Sequence, residues 1–306
     1  MLARADHQGE RDVERAVSLG MAERRRASRW QLFWHSYTRS KAAVVGGGVL
    51  VLLILTAIAA PRLEPYDPLG VSPALALGSP VVTHPFGTDE YGRDVLSRVI
   101  AGSQISLTVG ALAVIFSVTF GTGLGLVAGY TENVVDSTVM RLIDMLLAFP
   151  GILLALAIVA GLGASTINVV IAIGVGGIPV YARVTRGSVL SAKREPYVEA
   201  GRVVGCSAPR LMVRHILPNV FAPVLVLATI GVAFAILTGA ALSYLGLGIQ
   251  PPRAEWGLMI ADGQNYLNDA WWISTFPGIA LALTVLSVNL VGDGLRDSLD
   301  PRSRRR

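Results

Sequence analysis

The sequence predicts an all-α, polytopic membrane protein with six transmembrane helices, and three observations carry that prediction. First, 52% of the 306 residues are hydrophobic and only 15% are charged, with a mean hydropathy of +0.56; a soluble domain carries about 25% charged residues. Second, stretches without Asp, Glu, Lys or Arg recur at the ~20-residue length a helix needs to cross the hydrocarbon core. Third, six crossings place 22 of the 26 Lys and Arg residues on one side, the asymmetry that marks the cytoplasmic face. Both termini are therefore expected in the cytoplasm, with membrane lipid as the surrounding partner.

The elements follow in chain order. Residues 1–41 form a cytoplasmic N-terminal tail with 9 Lys/Arg, among which stand Trp30, Phe33, Trp34 and Tyr37. Such a tail either lies along the anionic membrane surface or acts as a disordered positive-inside signal. The first span is 42–61. Its Ala57-Ile58-Ala59 mimics a cleavage site, but the apolar stretch is longer than a signal h-region and 41 residues precede it, which favours an uncleaved helix. Residues 62–104 form an extracytoplasmic segment with an amphipathic helix. Thr88 is a candidate cap there; Val95, Leu96, Val99 and Ile100 share one face, and Arg93, Asp94 and Arg98 another.

Five further helices occupy 105–293. The second span, about 105–129, carries Gly121, Gly125 and Gly129 at four-residue spacing, a groove for close approach of a neighbouring helix. Its G-x-G-x-x-A run lies inside a span, without the strand-to-helix context of a dinucleotide site. The 38 uncharged residues from Met145 to Ala182 hold two spans, 142–161 and 167–182, with a turn at "GLGAST". A cytoplasmic loop spans 183–219. The fifth span is near 221–245 and the sixth at 270–292; residues 294–306 form the C-terminal tail.

Several functions are disfavoured. The net charge of +5 follows the membrane asymmetry and does not point to nucleic acid. A single cysteine, Cys206, excludes an intrachain disulfide framework. Proton- or ion-coupled carriers keep ionisable groups at membrane depth; here Arg141 and Asp144 lie at the start of the third span, three apart, and are expected to pair. The spans hold no HExxH, paired aspartates or Ser/His constellation, so the chain is not expected to be an enzyme. A non-ABC channel or secondary carrier stays a distant alternative.

The segment "VEAGRVVGCSAPRLMVRHILPN", 198–219, interrupts the apolar sequence with Glu199, Arg202, Arg210, Arg214 and His215. It reads as two short helices. The first covers about Tyr197 to Val204, with Pro196 suited to its start, and Gly205 makes the turn. Ser207 is a candidate cap for the second, with Pro209 harmless in its first turn. Pro218 closes the segment. Leu211, Met212 and Ile216 give an apolar face, while Ala200 and Gly201 are small enough for another protein to approach the backbone.

These residues resemble the E-A-A, x3, G, x9, I-x-L-P pattern of ABC-importer permeases, with Gly201 in place of the second alanine and His215 in place of isoleucine. "HPFGTDEYGRDVLSRVIAGSQISL", 84–107, and "GDGLRDSLDPR", 292–302, resemble the C-type inner-membrane subunit of dipeptide/oligopeptide importers. The resemblance covers about 30–302. It implies a type I ABC importer permease fold and a multi-pass place in the bacterial inner membrane. It further implies a B-type permease partner, one or two ABC ATPase subunits and an extracytoplasmic solute-binding protein. ATP and Mg would bind in the ATPase subunits, with no cofactor held by this chain; no G-x-x-x-x-G-K-[ST] occurs in it. Glu199, Ala200, Gly201, Arg202, Gly205, Cys206, Pro209, Arg210, Leu211 and Arg214 would form the ATPase-coupling element within 197–214. The implied solute is a di- or oligopeptide, with nickel, glutathione or another small solute as alternatives.

In the 84–107 block, Asp89, Glu90, Arg93, Asp94 and Arg98 are candidates for an extracytoplasmic gate or docking surface, against the alternative of a structural lid held by salt links. His84 with Asp89 is weak as a metal pair. Trp256, Trp271 and Trp272 in the last loop are expected to anchor at the interface, with contact to the binding protein as the secondary reading.

Overall fold

A computed structural model describes residue 34 and residues 37–299. The expectations for the outer parts of both tails, including Trp30, Phe33 and the end of the 292–302 block, lie outside the described residues. Those described are all-α, with one isolated bridge between Thr88 and Asp94.

In chain order the helices are α1 (Lys41–Leu63), α2 (Val95–Thr131), α3 (Val134–Leu147), α4 (Gly151–Leu162), α5 (Thr166–Ala192), α6 (Pro196–Val203), α7 (Ala208–Tyr244), α8 (Trp256–Gly263) and α9 (Trp272–Leu299). Five of them, α1, α2, α5, α7 and α9, are long and apolar enough to cross a membrane; α3 and α4 meet at 90° and supply a sixth crossing only as a bent pair. The sequence expectation of one helix over 142–161 is therefore corrected. Pro150 has no N–H to donate and disfavours helical backbone at Phe149, so α3 ends at Leu147 and α4 restarts at Gly151.

Three other boundaries differ. The amphipathic segment and the second span form one 37-residue helix, about 55 Å long at 1.5 Å per residue. Its cap is Asp94, which accepts the Ser97 N–H at 2.8 Å; Thr88, the expected cap, instead donates its hydroxyl to Leu75 O. Pro218 does not close the cytoplasmic segment. A π-helical turn at Leu211–Ile216, in which the Leu217 N–H bonds Met212 O, carries the chain past the missing proline N–H into α7 without a break.

The α2–α5 seam is built on glycine. A Cβ on Gly121 would lie 2.7 Å from Tyr181 Cβ, one on Gly129 2.9 Å from Val189 Cβ, and one on Gly125 would collide with Ala182 O. The backbones approach as the four-residue spacing predicts. Where side chains in the seam are polar, they bond to backbone: Ser117 donates to Gly174 O at 2.7 Å and shares Ala113 O at 2.9 Å. The Gln104 amide ties α2 to α1 through Ala57 O at 2.7 Å. α1 packs on α9, with Gly46 against Leu290.

Apolar packing divides into three clusters along the molecule. The central one joins α2, α4, α5 and α7 around Ala113, Ala155, Val169 and Val224. At one end Val95, Trp256, Met259 and Trp272 hold residues 64–94 and α8 as a lid. At the opposite end Leu126, Val189, Val198, Ile216 and Val220 seat a knob formed by α6 and the start of α7.

Candidate functional site

The knob is shaped by local backbone chemistry. Pro196 opens α6, and the helix ends in a Schellman closure: Gly205 N–H bonds Arg202 O at 2.9 Å and Cys206 N–H bonds Gly201 O at 3.0 Å. That closure requires a left-handed residue at its turn, and Gly205 has φ +82°. The chain then reverses into α7. Ser207 occupies the cap position without a side-chain cap bond, and its carbonyl accepts the Leu211 N–H at 3.0 Å. Pro209 lies in the first turn.

What faces in and what faces out differs from the sequence expectation at two positions. Leu211 is buried, and its Cδ2 covers Gly201 so closely that a Cβ there would stand 2.7 Å away. The smallness of Gly201 is thus used within the chain, to dock one half of the knob on the other. Val198, Leu211 and Ile216 plug the knob into the end cluster. Outward lie Val203 and Val204, 88% and 83% exposed, with Glu199, Ala200, Pro209, Arg210 and Arg214. Cys206 is half-buried.

A residue that sequence reasoning missed anchors this knob. Tyr130, at the end of α2, receives Lys193 Nζ on its carbonyl at 2.6 Å, and both Lys193 and Arg202 stand over its ring. Lys193 also pairs with Glu132 at 3.1 Å. Arg202 therefore contacts its own chain. The aromatic ending α2 was the available signal. Two further pairs brace α3 on α5: Arg183 to Asp144 at 2.6 Å, and Arg186 to Asp136 through two bonds of 2.6 Å. The expected Arg141–Asp144 pair is thereby replaced, because the bend turns α3 against α5.

At the lid, Asp89 accepts from Arg93 Nε and from the backbone N–H groups of Tyr91 and Arg93, and lies 3.4 Å from Arg98 Nε. Glu90 accepts from Arg93 Nη2 at 3.2 Å. Asp94 pairs with His84 Nδ1 at 2.9 Å, and Arg98 donates to Pro68 O at 3.2 Å. Asp89, Arg93, Asp94 and Arg98 are buried; Asp89 joins the two arginines, while Asp94 holds His84 and Ser97. The His84–Asp89 metal pair is not formed; among the described residues no group of three or more His, Cys, Asp or Glu is placed to hold a metal.

Asp262 of α8 joins this cluster electrostatically. Burial pushes its carboxyl up, with Arg98 and Arg93 opposing; burial likewise raises Glu90, with Asp89 and Asp262 adding to the effect against Arg93 and a backbone hydrogen bond. The tryptophan expectation is corrected here too. Trp256 is fully buried, donating to Val99 O at 3.0 Å, and Trp272 is 5% exposed, donating to Thr88 O at 3.0 Å. Only Trp271, 49% exposed, stands where an interfacial anchor stands.

Between α4, α5 and α7 lies a cleft of about 430 Å³, largely apolar, bordered by Gly151, Ile152, Gly177, Tyr181 and Gly231. Among the described residues no Asp, Glu, Lys or Arg lines it. "FPG" at 149–151 was its sequence signal.

A family model described as "Binding-protein-dependent transport system inner membrane component" matches residues 121–305, and one described as "N-terminal TM domain of oligopeptide transport permease C" matches 28–80. The chain is 44% identical over 276 residues to the di/tripeptide transport system permease protein DppC of Pseudomonas aeruginosa, covering 88% of this chain and 91% of that protein. It is 43% identical over 277 residues to the dipeptide transport system permease protein DppC of Alkalihalophilus pseudofirmus, covering 90% and 91%. It is 42% identical over 274 residues to the glutathione transport system permease protein GsiD of Pectobacterium atrosepticum, covering 89% and 91%. Its fold is similar to a chain of the inward-facing MetNI methionine ABC transporter, with a TM-score of 0.56, 17% identity and coverage of 67% of this chain and 98% of that one.

Proposed function

The chain belongs to the family of binding-protein-dependent transport system inner membrane components, and on that premise we propose that it is one half of a heterodimeric pore importing di- and oligopeptides. Its pore partner is a B-type permease. One or two cytoplasmic ATPase subunits hold ATP and Mg, and an extracytoplasmic binding protein delivers the solute. Both termini and the knob face the cytoplasm and the lid faces outward, which the distribution of Lys and Arg supports.

The observation that carries the coupling reading is the knob itself. It is plugged into the bases of α2, α5 and α7, closed by a Schellman turn at Gly205, and tipped with exposed Val203 and Val204. Five cations and two carboxylates lie in 193–214, so the surface fits a groove with apolar floor and acidic rim. Closure of the ATPase pair displaces the knob as one body, and the attached spans move with it. A ligand-driven change of this kind needs a contact that differs between two states.

The lid residues Asp89, Glu90, Arg93, Asp94 and Arg98 act as the internal fastening of an extracytoplasmic gate. Glutathione is the second reading for the solute, favoured by the likeness to a glutathione permease. Uptake in a strain lacking the gene tests both: loss of dipeptide uptake supports the first, and loss of glutathione uptake with dipeptide uptake unchanged supports the second. Replacing Gly205 with Pro, whose φ is fixed near −65°, should abolish uptake while the chain stays in the membrane. Normal transport by that variant would remove the knob from the mechanism.

A further inference from the structure

We propose that the cleft holds a binding site for the carboxylate of the solute in transit, formed by the open N-terminus of α4 and the hydroxyl of Tyr181. The proposal deepens the peptide-import reading and rests on it.

The first argument is the backbone. α4 has 12 residues and no side-chain cap, because its N-cap position is Pro150. Its first helical bond runs from Leu154 N–H to Pro150 O at 3.0 Å. The N–H groups of Gly151, Ile152 and Leu153 have no partner among the described residues. Gly151 and Ile152 border the cleft. Unpaired donors within a membrane domain are costly and persist where they face a cavity. Aligned at a helix N-terminus, they carry partial positive charge and suit an anion.

The second argument is independent of the first. Tyr181 is 4% exposed, lines the same cleft, and its hydroxyl makes no hydrogen bond to the described residues. The neighbouring hydroxyls are satisfied: Ser117 bonds Gly174 O and Ala113 O, and Thr238 bonds Phe234 O. Gly231 makes room for the phenol, since a Cβ there would overlap the Tyr181 oxygen. The hydroxyl has no protein partner among the described residues and opens onto the cleft, so it is free to donate to a ligand held there.

The chemistry selects the occupant. The cleft offers neutral donors at a helix N-terminus and apolar walls with no carboxylate, so it favours the acid end of a peptide over the ammonium end. Neutral donors also bind more weakly than a guanidinium would, which suits a site that must release its solute at each cycle.

The test uses the intact transporter, this chain with the partners that co-purify with it, in proteoliposomes. Import of a dipeptide and of its C-terminal amide is compared for wild type, Tyr181→Phe and Gly231→Ala. Tyr181→Phe removes an unbonded hydroxyl, so a merely structural role predicts no change. The proposal expects both variants to import the free acid about tenfold more slowly, with ATP hydrolysis still stimulated by the binding protein and any amide import unaffected. Free-acid import at the wild-type rate in Tyr181→Phe, or an equal fall for acid and amide, overturns the site. Failure of the wild type to import the dipeptide overturns the peptide reading itself, and the site with it.

Discussion

Leu211 covers Gly201, its Cδ2 standing 2.7 Å from where a Cβ on residue 201 would be. This contact fastens α6 to the start of α7 and makes the knob a single body. Leu211→Ala should cost about 2–5 kcal/mol of local packing and let the two halves move apart. The expected outcome is uptake reduced at least tenfold while ATP hydrolysis by the complex continues, measured side by side in proteoliposomes. Coupled transport at the wild-type ratio would show that rigidity of the knob is not required.

The α2–α5 seam allows a test with an internal control. A side chain on Gly125 would collide with the Ala182 carbonyl, whereas Gly123 has open space around it. Gly125→Val should lower the thermal stability of the purified protein by the 1–3 kcal/mol of an overpacked contact or more. Gly123→Val should leave it near wild type. Melting curves of the two variants in the same detergent decide.

The three tryptophans of the last loop should separate in the same assay. Trp256→Ala and Trp272→Ala empty buried sites and each should cost about 3–5 kcal/mol. Trp271→Ala, at an exposed position, should change the melting temperature little. Equal effects would return all three to interfacial anchoring.

Glu90 gives the lid a pH dependence of defined sign. Burial holds its carboxyl above the usual carboxylate range, so the folded lid keeps that proton more tightly than the unfolded chain does. Stability from this source is full below the ordinary carboxylate pKa of about 4.3 and falls as pH rises through the raised folded value. Asp262 contributes with the same sign. Glu90→Gln should therefore melt higher than wild type at pH 7, with the difference closing towards pH 4. A variant less stable at pH 7 would mean that the bond from Arg93 outweighs the burial.

The sequence made legible whatever depends on composition and spacing. The long apolar helices, the Gly121-Gly125-Gly129 seam and the Gly205 turn are local properties, and each is present. Hydropathy did not reveal the 90° break, because Phe149, Pro150 and Gly151 are as compatible with lipid as the residues around them. The break then re-paired Asp144, which sequence proximity had joined to Arg141: it meets a partner 39 residues away, and Asp136 finds one 50 residues away. Trp256 and Trp272 were misplaced for a related reason. An aromatic near a span end satisfies the interfacial pattern whether it faces lipid or core, and only the packing of α8 on α2 and α9 distinguishes the two.

The length of α2 has one more consequence. It holds no proline and no break between the Asp94 cap and Tyr130, so it acts as a lever of about 55 Å, loaded at both ends. A tilt of about 10° about one end would carry the other through roughly 10 Å on that length. The lid is bolted to the top of this lever through Asp94 and Arg98, and the knob leans on its foot through Lys193 and Arg202. Short of bending the shaft, a displacement of the foot is carried to the lid end in the same stroke, with no relay between the two ends.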